Sequence, residues 1–470
     1  MKQLGLIDIG LLILYTLYLT YIALRYYFGK ERSDTENFLL AGRSLTLPAF
    51  VATTVTTWYG GILGVGEFSY LYGISNWLVF GIPYYLFALI FALFLAKKAR
   101  RARLYTIPDK LEIEYGRRAG LVGAIYIFLT TVPAGYVLML GILLEILFGW
   151  SLTVSVLIGA FFSLFYVLSG GFRSVVRTDM AQFGLMFGGF ALILGIVSFK
   201  YGGFSFLNER LPSDHFVWHG GNSTQYIIVW YFLAMSTLVD PTFYQRCYAA
   251  ASEKIAQRGI FISIGCWILF DFFSTSVGLY SRALLPELAN PAQAFPALAL
   301  EILPPVAKGL FFLALLATIM STIDSSSFLA AMTIGRDVIW RIRGEKDEKN
   351  VPIYTKFGLI LTAILTVVMA LWFESIIDFW HHIGSVVTPA LLIPLAAGFS
   401  DDFKMRPKFA LASMIASGLI SFFWLTTSYL PIPGQTGEYL WSMEPVFPGL
   451  ILSSALFMID RFYYQRQTNC

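Results

Sequence analysis

Residues Leu316 to Asp337 read LATIMSTIDSSSFLAAMTIGRD and place hydroxyls and a carboxylate inside an apolar run. Thr318, Ser321, Thr322 and Ser325 recur at i, i+3, i+4, i+7 and share one face of a helix. Asp324 flanks that face. An ionisable group deep in a lipid-crossing helix costs about 3 kcal/mol or more, so it marks an ion or substrate path. Hydroxyl and carboxylate oxygens are the ligands of hard cations. The ordinary alternative is that Ser and Thr bond back to their own helix while Asp324 pairs with an arginine elsewhere.

Two further polar breaks accompany it. Ala52 to Glu67 reads ATTVTTWYGGILGVGE, with Thr53, Thr54, Thr56 and Thr57 in mid-run and Gly60, Gly61, Gly64 and Gly66 after them. Glycine weakens a helix by about 1 kcal/mol relative to alanine. A broken helix in a bilayer is tolerated where its freed backbone lines a cavity or faces protein. A discontinuity is therefore predicted between Thr54 and Gly61, with carbonyls freed for a cation. Close packing through small residues is the competing explanation. The third break is Asp240-Pro241, where proline removes a helix hydrogen bond beside a carboxylate.

The elements that must position these residues follow from composition. The chain has 470 residues, 57% hydrophobic and 13% charged, against about 25% charged in an average soluble domain. It reads as an all-α polytopic membrane protein, and its net charge of +4 implies no nucleic-acid partner. Apolar runs at 6–28, 46–72, 77–97, 119–148, 152–170, 178–199, 225–245, 258–283, 305–335, 353–373, 379–399, 407–429 and 443–463 give about thirteen spans. Most basic residues, among them Lys30, Arg32, Arg43, Lys97 to Arg103, Arg117, Arg173, Arg177, Arg336 and Lys404, fall on alternate loops. By the positive-inside rule the N-terminus is outside and the C-terminus inside the cell membrane. The breaks near 57 and 240 lie in the second and seventh spans, five apart. Paired interrupted helices are the sign of an inverted repeat. A single transporter domain over 1–470 is expected, with repeats at 46–199 and 225–399. The helix at 6–28 and the two spans within 407–463 are expected at its periphery.

Several motifs stand in order along the chain: Phe38-Leu-Leu-Ala-Gly-Arg-Ser44, Thr106-Ile-Pro-Asp-Lys-Leu111 with Tyr115-Gly116, Ser169-Gly-Gly-Phe-Arg173 with Arg177-Thr-Asp179, Tyr244-Gln-Arg246, and Ser321-Thr-Ile-Asp-Ser325. On this topology the chain resembles the sodium:solute symporter family over roughly 38–339. The resemblance implies a five-plus-five inverted-repeat fold and Na+-driven alternating access. It also implies a principal Na+ site of the Thr54, Thr57 and Thr318 carbonyls with the Ser321 and Thr322 hydroxyls. Some members hold a second ion, and Asp179, Ser321, Asp324 and Ser325 occupy those places here, for Na+ or a proton. Trp58-Tyr-Gly-Gly61 is similar to the Trp-x-Gly-Gly of choline symporters, where an aromatic ring cages a cationic head group. A second cage aromatic does not align, and Asp240 stands there instead. Trp58, Tyr59, Gly61, Asp240 and Phe243 are the candidate solute-binding residues.

The expected activity is import of a small organic solute with Na+. Proton coupling through Asp179 and Asp324, or a solute-binding sensor, are the alternatives. No nucleophile–base pair suggests an enzyme, and no obligatory protein partner is evident. Asp271, in the eighth span, is expected to pair with Arg282 or line a vestibule. The pairs His215/His219 and His381/His382 read as structural rather than metal-binding. Cys247, Cys266 and Cys470 make no disulfide framework.

Overall fold

The computed structural model describes residues 4–27, 35–345, 347–372, 376–400, 402–430 and 439–468. Lys30, Arg32 and Cys470 lie outside them. Among the described residues the chain is helical throughout, apart from one isolated parallel bridge between Leu45 and Ala250. Ten helices among the described residues are long and apolar enough to cross a membrane. The other three expected spans differ in form. The run at 46–72 is split into α2 (Leu47–Trp58) and α3 (Ile62–Tyr72), after α1 (Leu6–Tyr27). Leu152–Ser163 is a shorter apolar helix, and the last run is the helix Val446–Thr468.

Helices α4 (Ile82–Phe94), α5 (Ile107–Tyr115), α6 (Arg117–Thr131) and α7 (Ala134–Phe148) follow. A loop was expected between the spans at 152–170 and 178–199. Instead α8 (Leu152–Tyr201) runs on and turns at the single residue Gly171, whose φ of +62° is open to glycine. A Cβ there would collide with Phe38. Arg173 and Arg177 are thus helical. Next come α9 (Thr224–Leu233), α10 (Pro241–Ala249), α11 (Glu253–Leu284), α12 (Ala294–Ile302) and α13 (Ala307–Met332), which continues as a π-helix from Thr333 to Trp340. Then α14 (Val351–Trp372), α15 (Ile376–Gly398), α16 (Pro407–Thr426) and α17 (Val446–Thr468) complete the chain.

The hydroxyl-bearing helix α13 is the centre: 94% of its apolar window is buried by the other helices. That explains why a run bearing Thr318, Ser321, Thr322, Asp324, Ser325, Ser326 and Ser327 persists there. Its polar residues from Thr318 to Ser327 are all buried among the other helices. The first helix is tied to this centre. Asp8 on α1 accepts from the Val306 and Gly309 backbone N–H groups at 2.9 Å each, at the start of α13. Tyr15 on α1 accepts from Gln182 on α8 at 2.9 Å.

The basic loops assigned to one side meet at one end of the bundle. Arg43 donates to the carbonyls of Arg103, Leu104 and Tyr248, and Arg101 pairs with Glu253 at 2.8 Å. At the same end Asp109 of α5 receives Arg336 at 2.5 Å and Arg341 at 2.9 Å. The histidines have separate tasks. His215 Nε2 lies 2.9 Å from the Tyr70 carbonyl, His219 Nδ1 accepts from the Gly221 N–H at 3.0 Å, and His381 faces Glu444 at 3.1 Å. Cys247 and Cys266 are free thiols.

Candidate ion and solute site

The first break is narrower than its glycine content suggests. Helix α2 is regular to Trp58, and Tyr59–Gly61 tightens to a 3-10 turn before α3. A regular helix leaves its last four carbonyls without helical partners. At the end of α2 the Tyr59 N–H closes on the Thr56 carbonyl, and Thr54 lies earlier within the regular helix. The hydroxyls of α13 accordingly reach Thr56 and Thr57. Ser321 donates to the Thr56 carbonyl at 2.9 Å, and Thr322 to the Thr57 carbonyl at 2.9 Å. Ser321 Oγ also lies 3.0 Å from the Thr318 carbonyl. The Thr54 hydroxyl is buried with no hydrogen-bond partner among the described residues. Gly60 makes this approach possible, because a Cβ there would overlap the Thr322 side chain. The result is a buried knot of carbonyl and hydroxyl oxygens at the C-terminal, electronegative end of a half-helix. Each hydroxyl oxygen has two lone pairs, so it can turn them to a cation while its proton keeps a carbonyl. Such oxygens replace the hydration shell of a monovalent ion.

Four residues are expected around a second ion, on α8 and α13. Ser321 belongs to the first knot. Asp324 is fully buried on α13. Asp179 and Ser325 face a group for which the sequence offered no role, the guanidinium of Arg246 on α10. Its Nη2 donates to Thr53 Oγ1 at 3.1 Å, Thr57 Oγ1 at 2.9 Å and Ser325 Oγ at 2.6 Å. Asp179 Oδ2 lies 4.0 Å from the same nitrogen and also accepts from the Thr53 hydroxyl.

Beside the first knot is a cavity of about 220 Å³. Thr57 and Thr322 belong to both. Trp58, Tyr59, Gly61 and Asp240 line it, with Tyr84, Tyr136, Trp230 and Trp380 adding rings. Phe243 is not in the lining. It stands behind Trp58, ring centres 5.6 Å apart and edge to face. Asp240 marks the second break, after a 3-10 turn over Ala234–Val239. It caps α10, accepting from the Thr242 N–H at 2.7 Å and hydroxyl at 2.5 Å. Asp271 also faces the cavity. Its partners are Tyr59 OH at 2.9 Å and Tyr85 OH, not Arg282, which donates to the Pro286 carbonyl at 2.7 Å. No lysine, arginine or histidine lies among the described lining residues.

The sodium:solute symporter family model matches residues 38–416. The chain is 27% identical to the sodium/pantothenate symporter of Haemophilus influenzae, covering 98% of each chain. It is 24% identical to the high-affinity proline transporter PutP of Bacillus subtilis, covering 91% of this chain and 93% of that one. To the high-affinity choline transporter 1 of Caenorhabditis elegans it is 25% identical over 75% of this chain and 65% of the other. The solved structure of a Na+-coupled sialic acid symporter superposes with a TM-score of 0.77 at 17% identity, covering 97% of each chain, so the fold is shared. A nucleobase-cation-symport-1 family transporter follows at 0.61 and 13% identity, covering 94% of this chain and 96% of the other. With a match over most of its length, a central helix that carries hydroxyls to a broken one, and helices enough to cross a membrane repeatedly, the chain belongs to the sodium:solute symporter family and is a multi-pass membrane transporter, not an enzyme.

Proposed function

We propose that the protein imports a small organic solute bearing a positive charge, in symport with Na+ bound at the Thr56–Thr57 and Thr318–Ser321–Thr322 oxygens. The observation that carries this reading is that Thr57 and Thr322 serve the oxygen knot and the cavity at once. An ion that draws these two residues together fixes one wall of the solute site. Solute in that site in turn holds the ion's ligands. This reciprocity is what coupling requires.

The charge of the solute follows from the walls. Two carboxylates and a set of aromatic faces line the cavity without a basic side chain among the described residues. Ring faces attract cations. The N-terminus of a half-helix is where a transporter would meet an anionic group. Here the protein's own Asp240 takes that place and leaves no vacancy for a solute carboxylate. The N-out, C-in orientation, the repeats at 46–199 and 225–399, and alternating access between them complete the proposal.

Thermal-shift assays on the purified chain test it. Choline, tetramethylammonium, proline, pantothenate and glucose are each added in NaCl and in KCl. Stabilisation by the quaternary amines in NaCl alone is the expected result. Equal shifts in KCl remove the sodium reading. A shift with pantothenate or glucose and none with the amines removes the cationic solute.

A further inference from the structure

Two helices at the rim of the bundle carry arginines that the transport site does not use. Helix α1 and the α8 segment Gly171–Tyr201 each have only 33% of their apolar window buried, so most of both surfaces faces lipid. Between them lies a cavity of about 370 Å³. Tyr18, Ile22 and Arg25 line it from α1 at i, i+4, i+7, and Arg177, Met180 and Ala181 line it from α8 at i, i+3, i+4. Each set is one helix face, and the two faces meet across the cavity. Several arginines at this end of the bundle are answered: Arg43 by carbonyls, Arg101 by Glu253, and Arg336 and Arg341 by Asp109. Arg25 and Arg177 have no hydrogen-bond or ion-pair partner among the described residues.

We infer that this cavity binds the phosphate head group of an anionic phospholipid, held between Arg25 and Arg177. The depth of both residues fits. Arg25 stands in the last turn of α1. About 20 residues cross the hydrocarbon core of a bilayer. The α8 segment has 31, so Arg177, six residues from its start, falls at head-group level. A guanidinium stays charged there, and its planar fork matches the oxygens of a phosphate. No carboxylate lies among the described lining residues, so the membrane's own phosphates are the anions within reach of both charges. Ile22 and Met180 add an apolar wall along which acyl chains continue, a wall that a free inorganic anion would not use. Basic pockets between membrane helices on the cytoplasmic side take such head groups. On the orientation proposed above, both arginines are on that side.

The purified full chain, stripped of lipid in a nonionic detergent and kept in KCl, is titrated with dioctanoyl phosphatidylglycerol while its melting temperature is read. Native protein is expected to show a saturable rise, and phosphatidylcholine of the same chain length none. Each arginine near an anionic head group strengthens binding about fivefold, so Arg25→Gln with Arg177→Gln should raise the half-maximal concentration about thirtyfold. Lys97→Gln with Lys254→Gln removes two exposed charges from the same end of the bundle and should leave it unchanged. An equal loss in the lysine pair would mean general surface charge and overturns the site. So does an equal rise with phosphatidylcholine, or an unchanged midpoint in the arginine pair. Inorganic phosphate that reproduces the rise at the same concentration removes the lipid as occupant. Should the arginine pair not fold, Arg25→Gln alone decides: about a fivefold weakening sustains the site and none ends it.

Discussion

At the scale of residues, the site depends on the two halves of Thr57 doing different things. Its carbonyl faces α13 and its hydroxyl faces Arg246. A side-chain substitution therefore leaves the first oxygen in place, and the decisive changes belong on the opposite helix. Hydrogen bonds to charged groups contribute about 1.5–3 kcal/mol. Removing both hydroxyls with Ser321→Ala and Thr322→Ala should thus raise the Na+ concentration for half-maximal uptake by about tenfold to a hundredfold or more. Uptake into proteoliposomes over a Na+ series reads this, and an unchanged Na+ requirement would discard the ligand assignment. Gly60 gives a complementary prediction. A methyl group there overlaps Thr322, so Gly60→Ala must push α13 from the break. Overpacking of this kind costs about 1–3 kcal/mol. Sodium-dependent thermal stabilisation should shrink in Gly60→Ala, whereas Gly265→Ala, at a glycine with open space around it, should leave it intact. The sequence made Ser321, Thr322 and Thr57 legible because hydroxyls in an apolar run need a reason. It did not expose the tasks of Arg246 and Asp271, because their partners lie 79 to 212 residues away in the chain.

At the scale of elements, periodicity and glycine content located the breaks but not their form. The glycines suggested a discontinuity between Thr54 and Gly61; within that range α2 stays regular up to Trp58 and the change of form is the 3-10 turn Tyr59–Gly61. One glycine with positive φ replaced an expected loop in α8. Helix α5 illustrates what only the fold could show. Thr106 and Asp109 form a reciprocal capping box at its start. The same Asp109 carboxylate then receives Arg336 and Arg341 from the continuation of α13. Burial alone would raise its pKa, but the two guanidiniums outweigh that and hold Asp109 below the usual carboxylate range. A depressed carboxylate contributes stability above its unfolded pKa of about 3.9, and that contribution is lost as pH falls through the folded value. Asp109→Asn should therefore cost about 3 kcal/mol at neutral pH, because two buried arginines lose the carboxylate they share, with Asp337, Glu112 and Glu348 left to them. The gap between native protein and variant should narrow below about pH 4. Melting curves in detergent from pH 7 down to pH 3 supply the comparison, and a gap that stays constant would show that the ion pairs are not its source.

At the scale of the whole molecule, the charge count fixes what the membrane potential can do. In the proposed symport one Na+ and one cationic solute move two charges per cycle. Each charge crossing 100 mV contributes about 2.3 kcal/mol, so two give about 4.6 kcal/mol, or more than a thousandfold accumulation even without a sodium concentration gradient. A neutral solute with one Na+ would receive about half that energy and reach only about fiftyfold. The two cases separate cleanly in proteoliposomes of purified protein with equal Na+ on both sides and a K+–valinomycin potential, negative inside. Labelled choline is the first solute to try, given the walls of the cavity. Its accumulation should rise with the square of the factor by which the potential concentrates a single charge. A dependence on the first power would mean that the solute enters alone or that a charge is returned. A dependence on the third power would mean that a second Na+ travels with it.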